Sequence, residues 1–155
     1  MPVLVDLIRG AQTVLPVTVQ KFEAGEVHLE SIKITRFPGM KMVVASGPVT
    51  SSKTGHYICQ AAFYGVEDIN APSIRDRIGV RCQCQGYRFY FDEANRRAGA
   101  SHGARFAPYV RKTPPNDPRY PPRNPNMIPG SCKHILTFFQ ALTNSSFFKE
   151  TQRKR

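Results

Sequence analysis

Apolar and polar residues alternate along much of the first ninety positions, a spacing typical of β-strands. The strongest run covers residues 56–66, whose apolar side chains fall at odd and even positions, so we expect burial on both faces. Residues 17–22, 27–36 and 40–45 carry shorter runs, and a change of face within 27–36 predicts a bulge. Residues 46–55 are rich in Ser, Thr, Gly and Pro and predict a loop.

The last strands of this region are expected to form a hairpin. Residues 78–84 and 87–91 each have strand-like composition, and Gln85-Gly86 between them suits a tight turn. Residues 70–76 predict the connection that leads into the first of these strands.

Three segments have helical spacing instead. Residues 2–15 predict a short helix or irregular arm, which Pro16 would end. Asp92 can cap a second short helix, which Gly99 would end. Ser131 is positioned to cap a third helix. The apolar face of that C-terminal helix would hold Ile135, Phe138, Phe139 and Leu142.

A proline-rich stretch separates the strands from the last helix. Residues 100–131 hold eight of the 13 prolines, which excludes regular secondary structure. A loop of this length inside a compact domain usually has a function. The chain therefore predicts one domain, divided into an N-terminal arm or helix (1–16), a β-rich core (17–91), an Arg/Pro-rich extended loop (92–131), a C-terminal helix (132–148) and a basic tail (149–155).

Composition indicates a folded protein of a reducing compartment. The apolar fraction is 41%, which favours a globular core over disorder. No apolar stretch is long enough to span a bilayer, and the N-terminus lacks the features of a signal peptide. In a compartment that keeps thiols reduced, metal binding or burial explains the four cysteines better than disulfides do.

Two short Cys/His pairs flank the proline-rich loop: Cys82-Gln83-Cys84 and Cys132-Lys133-His134. Three thiolates and one imidazole are a donor set that structural zinc sites use. Side chains at i and i+2 of a strand share a face, so both sulfurs of the first pair can reach one ion. One alternative is an iron–sulfur cluster. The other is that buried cysteines and a histidine occur near each other by chance and bind no metal.

The pattern C-x-C, an insertion and C-x-H resembles the SWIM-type zinc finger over residues 78–142. The resemblance implies that Cys82, Cys84, Cys132 and His134 are the ligands. It places the first pair on a β-hairpin and the second at the start of a helix, and it implies nucleic-acid or protein binding. The insertion departs from the family in its length and proline content. The expected fold class is α+β: a small, mainly antiparallel sheet with a C-terminal helix and a metal-stapled proline-rich loop.

A second resemblance rests on a series of short motifs. Cys-x-Cys, Tyr-Arg-Phe-Tyr-Phe, Ala-Asn-Arg-Arg-Ala-Gly-Ala, Arg-Asn-Pro and Pro-Gly-Ser-Cys-Lys-His-Ile resemble small virion proteins of tailed bacteriophages. This resemblance implies a tail or baseplate component located in the virion. Without it, the expected location is the cytoplasm.

The sequence argues against an enzyme. Four ligands would fill the coordination sphere of the metal, whereas a catalytic zinc keeps one position open. The hydrolase, deaminase and zinc-protease motifs are absent. Cys59 is expected to belong to the core, with a role as a fifth ligand as the alternative. His56, three residues away on the same strand, would face the opposite side. Neither a small-molecule substrate nor a membrane is expected.

The formal net charge of +11 favours an acidic partner. The first hypothesis is assembly with other structural protein subunits, in which the proline-rich loop wraps a neighbour. The second is zinc-dependent, SWIM-like binding of nucleic acid, in which arginines contact phosphates. The candidate partner-binding residues are Arg105, Phe106, Tyr109, Arg111, Lys112, Arg119, Tyr120 and Arg123.

Overall fold

The computed structural model describes residues 2–16, 27–51, 55–103, 106 and 123–148. Within these residues the fold is α+β, as predicted, with one antiparallel sheet of five strands and four α-helices. The predicted strand at 17–22 and the basic tail lie outside the described residues. The elements are α1 (Leu4–Val14), β1 (Val27–Leu29), β2 (Lys33–Phe37), β3 (Met42–Ser51), β4 (Gly55–Tyr64), β5 (Arg77–Cys82), α2 (Gln85–Tyr90), α3 (Asp92–Ala98) and α4 (Lys133–Asn144).

β3 is the central strand of the sheet. β1 and β2 lie end to end along one edge of β3, and β4 and then β5 follow on the other side. The register shifts by one residue between β1 and β2, which is the predicted bulge. Gly47 lies opposite this bulge, where a Cβ atom would stand only 2.1 Å from the carbonyl oxygen of Ser31.

Strand β3 extends beyond its predicted end. The predicted loop at 46–55 is wrong for residues 46–51, which pair with β4 throughout and with β1 at their end. Pairing on both edges holds these residues in the ladder although Gly and Pro have low strand propensity.

The main core lies between the sheet and helices α1 and α4. Cys59, Ala61 and Phe63 on β4 are fully buried against it. The opposite face of the sheet is only partly covered: Ala62 is buried, but Ile58 is 40% exposed. The expectation that β4 is buried on both faces is therefore correct at Ala62 and wrong at Ile58.

The predicted hairpin is the clearest error, because residues 85–90 form helix α2. Alternation of Tyr87, Phe89 and Phe91 fits a strand, but Tyr87 and Phe91 also stand one helical turn apart, and both are fully buried. The amide of Tyr87 donates to Cys84 Sγ at 3.3 Å, so the cysteine caps the helix.

The two remaining helices begin one position away from their predicted caps. Helix α3 starts at Asp92 itself, its N-cap is Phe91, and Gly99 ends it in the left-handed conformation with φ of 74°. Helix α4 has Cys132 as its N-cap instead of Ser131. Its predicted apolar face is confirmed, because Ile135, Phe138, Phe139 and Leu142 are all buried.

Candidate metal centre

The two predicted Cys/His pairs meet in the folded chain. One donor atom from each of Cys82, Cys84, Cys132 and His134 lies within 4.8 Å of the others, and all four residues are buried. Among the described residues, no other group of three or more His, Cys, Asp or Glu donors is placed to share an ion. The cluster can therefore hold a metal.

The first pair stands where strand β5 passes into helix α2. Cys82 is the last residue of β5, and Cys84 is the N-cap of α2 with extended backbone angles (φ −68°, ψ 154°). Because the backbone stays extended through this step, the two side chains converge on the same side. The helix replaces the hairpin that the SWIM resemblance implied, but it still places both sulfurs at the site.

The second pair stands at the start of helix α4. Cys132 is extended (φ −79°, ψ 170°), and its carbonyl accepts the amide of Leu136 at 3.0 Å. Its sulfur makes no capping hydrogen bond to the helix. Cys84 and Cys132 therefore both lie at helix N-termini, where the helix dipole favours a thiolate.

Asn95 fixes the chain just before Cys132. Its side-chain amide donates to the carbonyl of Gly130 at 2.9 Å, and its carbonyl oxygen accepts the amide of Gly130 at 2.8 Å. Its amide group also lies 3.3 Å from Tyr87 Oη, and Tyr87 Oη donates to the carbonyl of Val80 at 2.9 Å. This network joins β5, α2 and α3 to the segment that carries the second ligand pair.

Two close contacts also hold this segment. A Cβ atom at Gly10 would stand 1.7 Å from the carbonyl oxygen of Pro129, and one at Gly130 would stand 2.5 Å from the ring of Phe91. Asn124 adds hydrogen bonds to the carbonyls of Tyr90 (2.7 Å) and Ile128 (2.9 Å). The backbone that leads into Cys132 is thus held in place by contacts with helices α1, α2 and α3.

The imidazole of His134 is the strongest sign that the cluster accepts an ion. It is 2% exposed, and neither ring nitrogen has a hydrogen-bond partner among the described residues. The ring of Tyr57 packs against it edge-on, with ring centroids 4.9 Å apart. Leaving buried polar atoms unsatisfied is costly, and a metal bound to one of the nitrogens would remove part of that cost.

The electrostatics of the thiols point the same way. Burial raises the pKa of Cys82 and of Cys132 well above the ordinary value. The pKa of Cys84 is lowered because the thiols of Cys132 and Cys82 can donate to its thiolate. Without a cation the pocket thus favours one ionised sulfur, whereas three thiolates require a positive charge among them.

Cys59 lies in the core, as the sequence predicts, and it also borders this site. It pairs with Cys82 across the β4–β5 ladder, and its Sγ donates to Cys82 Sγ at 3.6 Å. The neighbouring thiol of Cys82 lowers the pKa of Cys59, but burial and the thiols of Cys132 and Cys84 outweigh it, so the net shift is upward. Cys59 is therefore a neutral thiol beside the four donors.

The candidate partner-binding residues are placed only in part. Phe106 and Arg123 are described. The guanidinium groups of Arg81 and Arg88 lie over the ring of Phe106, and that of Arg123 lies over the ring of Phe89. The other six lie outside the described residues: Arg105, Tyr109, Arg111, Lys112, Arg119 and Tyr120.

Comparison with known proteins gives no relative on which to rest a function. No protein-family model matches the chain, and neither does any curated protein or solved structure. None of the helices in the described part of the chain combines the length and apolarity that crossing a bilayer requires.

Proposed function

We propose that this is a structural metal-binding protein in which Cys82, Cys84, Cys132 and His134 hold one zinc ion. The observation that carries the proposal is the buried convergence of four donor atoms within 4.8 Å, one of them on an imidazole that has no hydrogen-bond partner among the described residues. Zinc is favoured over an iron–sulfur cluster because the set includes a histidine, and such clusters are normally held by cysteine thiolates.

The donor count supports a structural role over a catalytic one. Four protein ligands complete the tetrahedron that zinc prefers, which leaves no position for a reacting water. Three thiolates and one Zn²⁺ carry a net charge of −1, and the amide of Tyr87 and the start of α4 lie where they offset it. We therefore infer that the protein is not an enzyme.

The ion would join two distant parts of the chain. It would tie the end of β5 to the start of α4, and so enclose the whole segment from Cys84 to Cys132. A crosslink across a long loop reduces the entropy of the unfolded chain. The metal would thus set the two ends of the proline-rich segment.

We extend the proposal to protein–protein assembly, with a tail or baseplate position in a phage virion as its most specific form. Support comes from the proline-rich insertion between the ligand pairs and from the motif resemblance. In extracts of the source cells or particles, the protein should sediment with a multi-subunit complex, and Cys84→Ala should not. Recovery of the unaltered protein only as a free monomer would contradict the assembly role.

Elemental analysis tests the metal itself. Protein purified without added metal should contain one zinc per chain, and Cys84→Ala or His134→Ala should contain much less. Cys59→Ser is the matched control, because it changes a neighbouring thiol that is outside the donor set. Equal metal content in all four proteins would overturn the ligand assignment.

A further inference from the structure

A continuous row of arginine and aromatic side chains begins on the outer face of β5, the face turned away from the core. Arg77 lies over the ring of Tyr64, with its guanidinium carbon 4.6 Å from the ring centroid. Tyr64 Oη lies 2.9 Å from Nδ1 of His102. The backbone of His102 lies beside β5, because its amide donates to the carbonyl of Val80. The next residue, Gly103, passes so close to Arg81 that a Cβ atom would stand 3.2 Å from its side chain.

The row continues through Phe106 onto helix α2. The guanidinium of Arg81 lies 4.1 Å from the centre of the Phe106 ring, and that of Arg88 lies 5.2 Å from it. Arg123 then lies over Phe89 at 4.9 Å and near Tyr90 at 5.4 Å. We call this surface the arginine strip. It comprises Tyr64, Arg77, Arg81, Arg88, Phe89, Tyr90, His102, Phe106 and Arg123.

The exposed arginines of the strip have no acidic partner within the described part of the chain, whereas Arg96 and Arg97 each have one. Arg97 pairs with Glu93 at 3.0 Å, and Arg96 approaches Asp92 at 3.6 Å. By contrast Arg77, Arg88 and Arg123 are exposed and form no ion pair with any residue the structure describes. Stacking on an aromatic ring fixes the plane of a guanidinium while leaving its N–H groups available to an anion.

We propose that the arginine strip binds the backbone of a single-stranded nucleic acid. Arg81 and Arg88 share the ring of Phe106, which brings cations of the strip together, and a guanidinium can bind a phosphate through two hydrogen bonds. Guanidinium and aromatic planes also stack on exposed bases, which a duplex does not offer. An acidic protein surface supplies carboxylates but no bases.

The charge of the whole chain supports the same partner. The net charge is +11, and the sequence between Gly103 and Arg123 holds four cations (Arg105, Arg111, Lys112 and Arg119) against one acid, Asp117. Gly103 and Arg123, the two residues that flank this sequence, both contact the arginine strip. The binding proposed here goes beyond the metal role and does not depend on it.

Fluorescence anisotropy with a labelled thymidine oligonucleotide, over a range of salt concentrations, tests the proposal on the protein as purified. Arg77→Gln/Arg88→Gln should bind at least about tenfold more weakly at low salt. The slope of log affinity against log salt should fall by about 1.4, since each contact with a single strand contributes about 0.7. Both side chains are exposed, so the fold should be kept; Arg88→Gln alone should show about half the change in slope.

The matched control is Arg9→Gln/Arg36→Gln, which removes two exposed arginines from the helix-covered side of the sheet. It lowers the net charge equally, and at physiological salt it should keep the affinity within about twofold, because charges farther from the ligand than the Debye length of about 8 Å are largely screened there. Equal weakening by both pairs, or no binding at low salt, would overturn the proposal. So would competition by polyglutamate as strong as that by unlabelled oligonucleotide, which would indicate an acidic protein partner.

Discussion

Cys59 and Cys82 face each other across the β4–β5 ladder, with their sulfurs 3.6 Å apart. Cys82 is one of the four proposed ligands, and Cys59 is not. A thiol that donates to a ligating sulfur withdraws charge from it and fixes its position, as outer-shell partners of metal sites commonly do. The β-sheet thus contributes to the candidate metal centre in two ways, through a proposed ligand on β5 and through a hydrogen-bond donor on β4.

Replacing Cys59 should therefore alter the affinity for metal without abolishing binding. Cys59→Ala should keep one ion per chain and lose roughly tenfold in affinity, the lower end of typical outer-shell effects. Cys59→Ser, which keeps a donor, should lose less. Competition with a chromophoric chelator measures both. Complete loss of metal from both variants would mean that Cys59 is itself a ligand.

Asn95 should be one of the most sensitive polar positions in the chain. Asn95→Ala removes both hydrogen bonds to the buried backbone of Gly130. Leaving that donor and that acceptor unsatisfied should lower the free energy of unfolding by about 3 kcal/mol. Urea unfolding of the metal-loaded protein measures the change. Asn126→Ala, at an exposed position, should alter stability by less than about 0.5 kcal/mol; similar losses for both would contradict the role of Asn95.

Gly10 should not tolerate a methyl group. Gly10→Ala places a Cβ atom in the space of the Pro129 carbonyl, so α1 and the segment before Cys132 must move apart. We expect a loss of about 2 kcal/mol or more in unfolding free energy, despite the better helix propensity of alanine. Gly39→Ala is the control, since no atom lies within 4 Å of a Cβ built there. Thermal unfolding of both variants decides the point, and equal midpoints would refute the close contact.

His102 should make the protein less stable in acid. Burial, with a smaller effect of Arg81, lowers the pKa of His102 below its ordinary value of 6.5. Because the unfolded chain takes up this proton more readily, the stability from neutral His102 is complete above pH 6.5. It is lost as the pH falls through the folded-state pKa. His102→Gln should show a smaller decline in unfolding free energy over this range. An NMR titration that gave an imidazole pKa above 6.5 would contradict this expectation.

The grouping of the four candidate ligands could be predicted from sequence because the signal is local. Cysteine and histidine at i and i+2, present twice, limit the donors to two short segments, and the fold brings those segments together. The C-terminal helix could also be predicted from sequence, because residues 132–142 begin with polar residues and continue with a regularly spaced apolar face.

The supporting residues could not be predicted in the same way. Asn95 bonds to Gly130, 35 positions further along the chain, and no local pattern marks such a pair. Helix α2 was missed because Tyr87 and Phe91 satisfy strand and helix spacing alike over so short a segment. The residue that marks the start of this helix is Cys84, whose sulfur accepts the N-terminal capping hydrogen bond. Ser and Asp are the more usual capping residues.

X-ray absorption at the zinc edge is the most direct test of the central claim, that three thiolates and one imidazole share one ion. The spectrum should show three sulfur ligands at about 2.3 Å and one nitrogen ligand at about 2.0 Å, and His134→Ala should lose the nitrogen signal. A first shell of four sulfurs, or of oxygen and nitrogen alone, would contradict the assignment of Cys82, Cys84, Cys132 and His134.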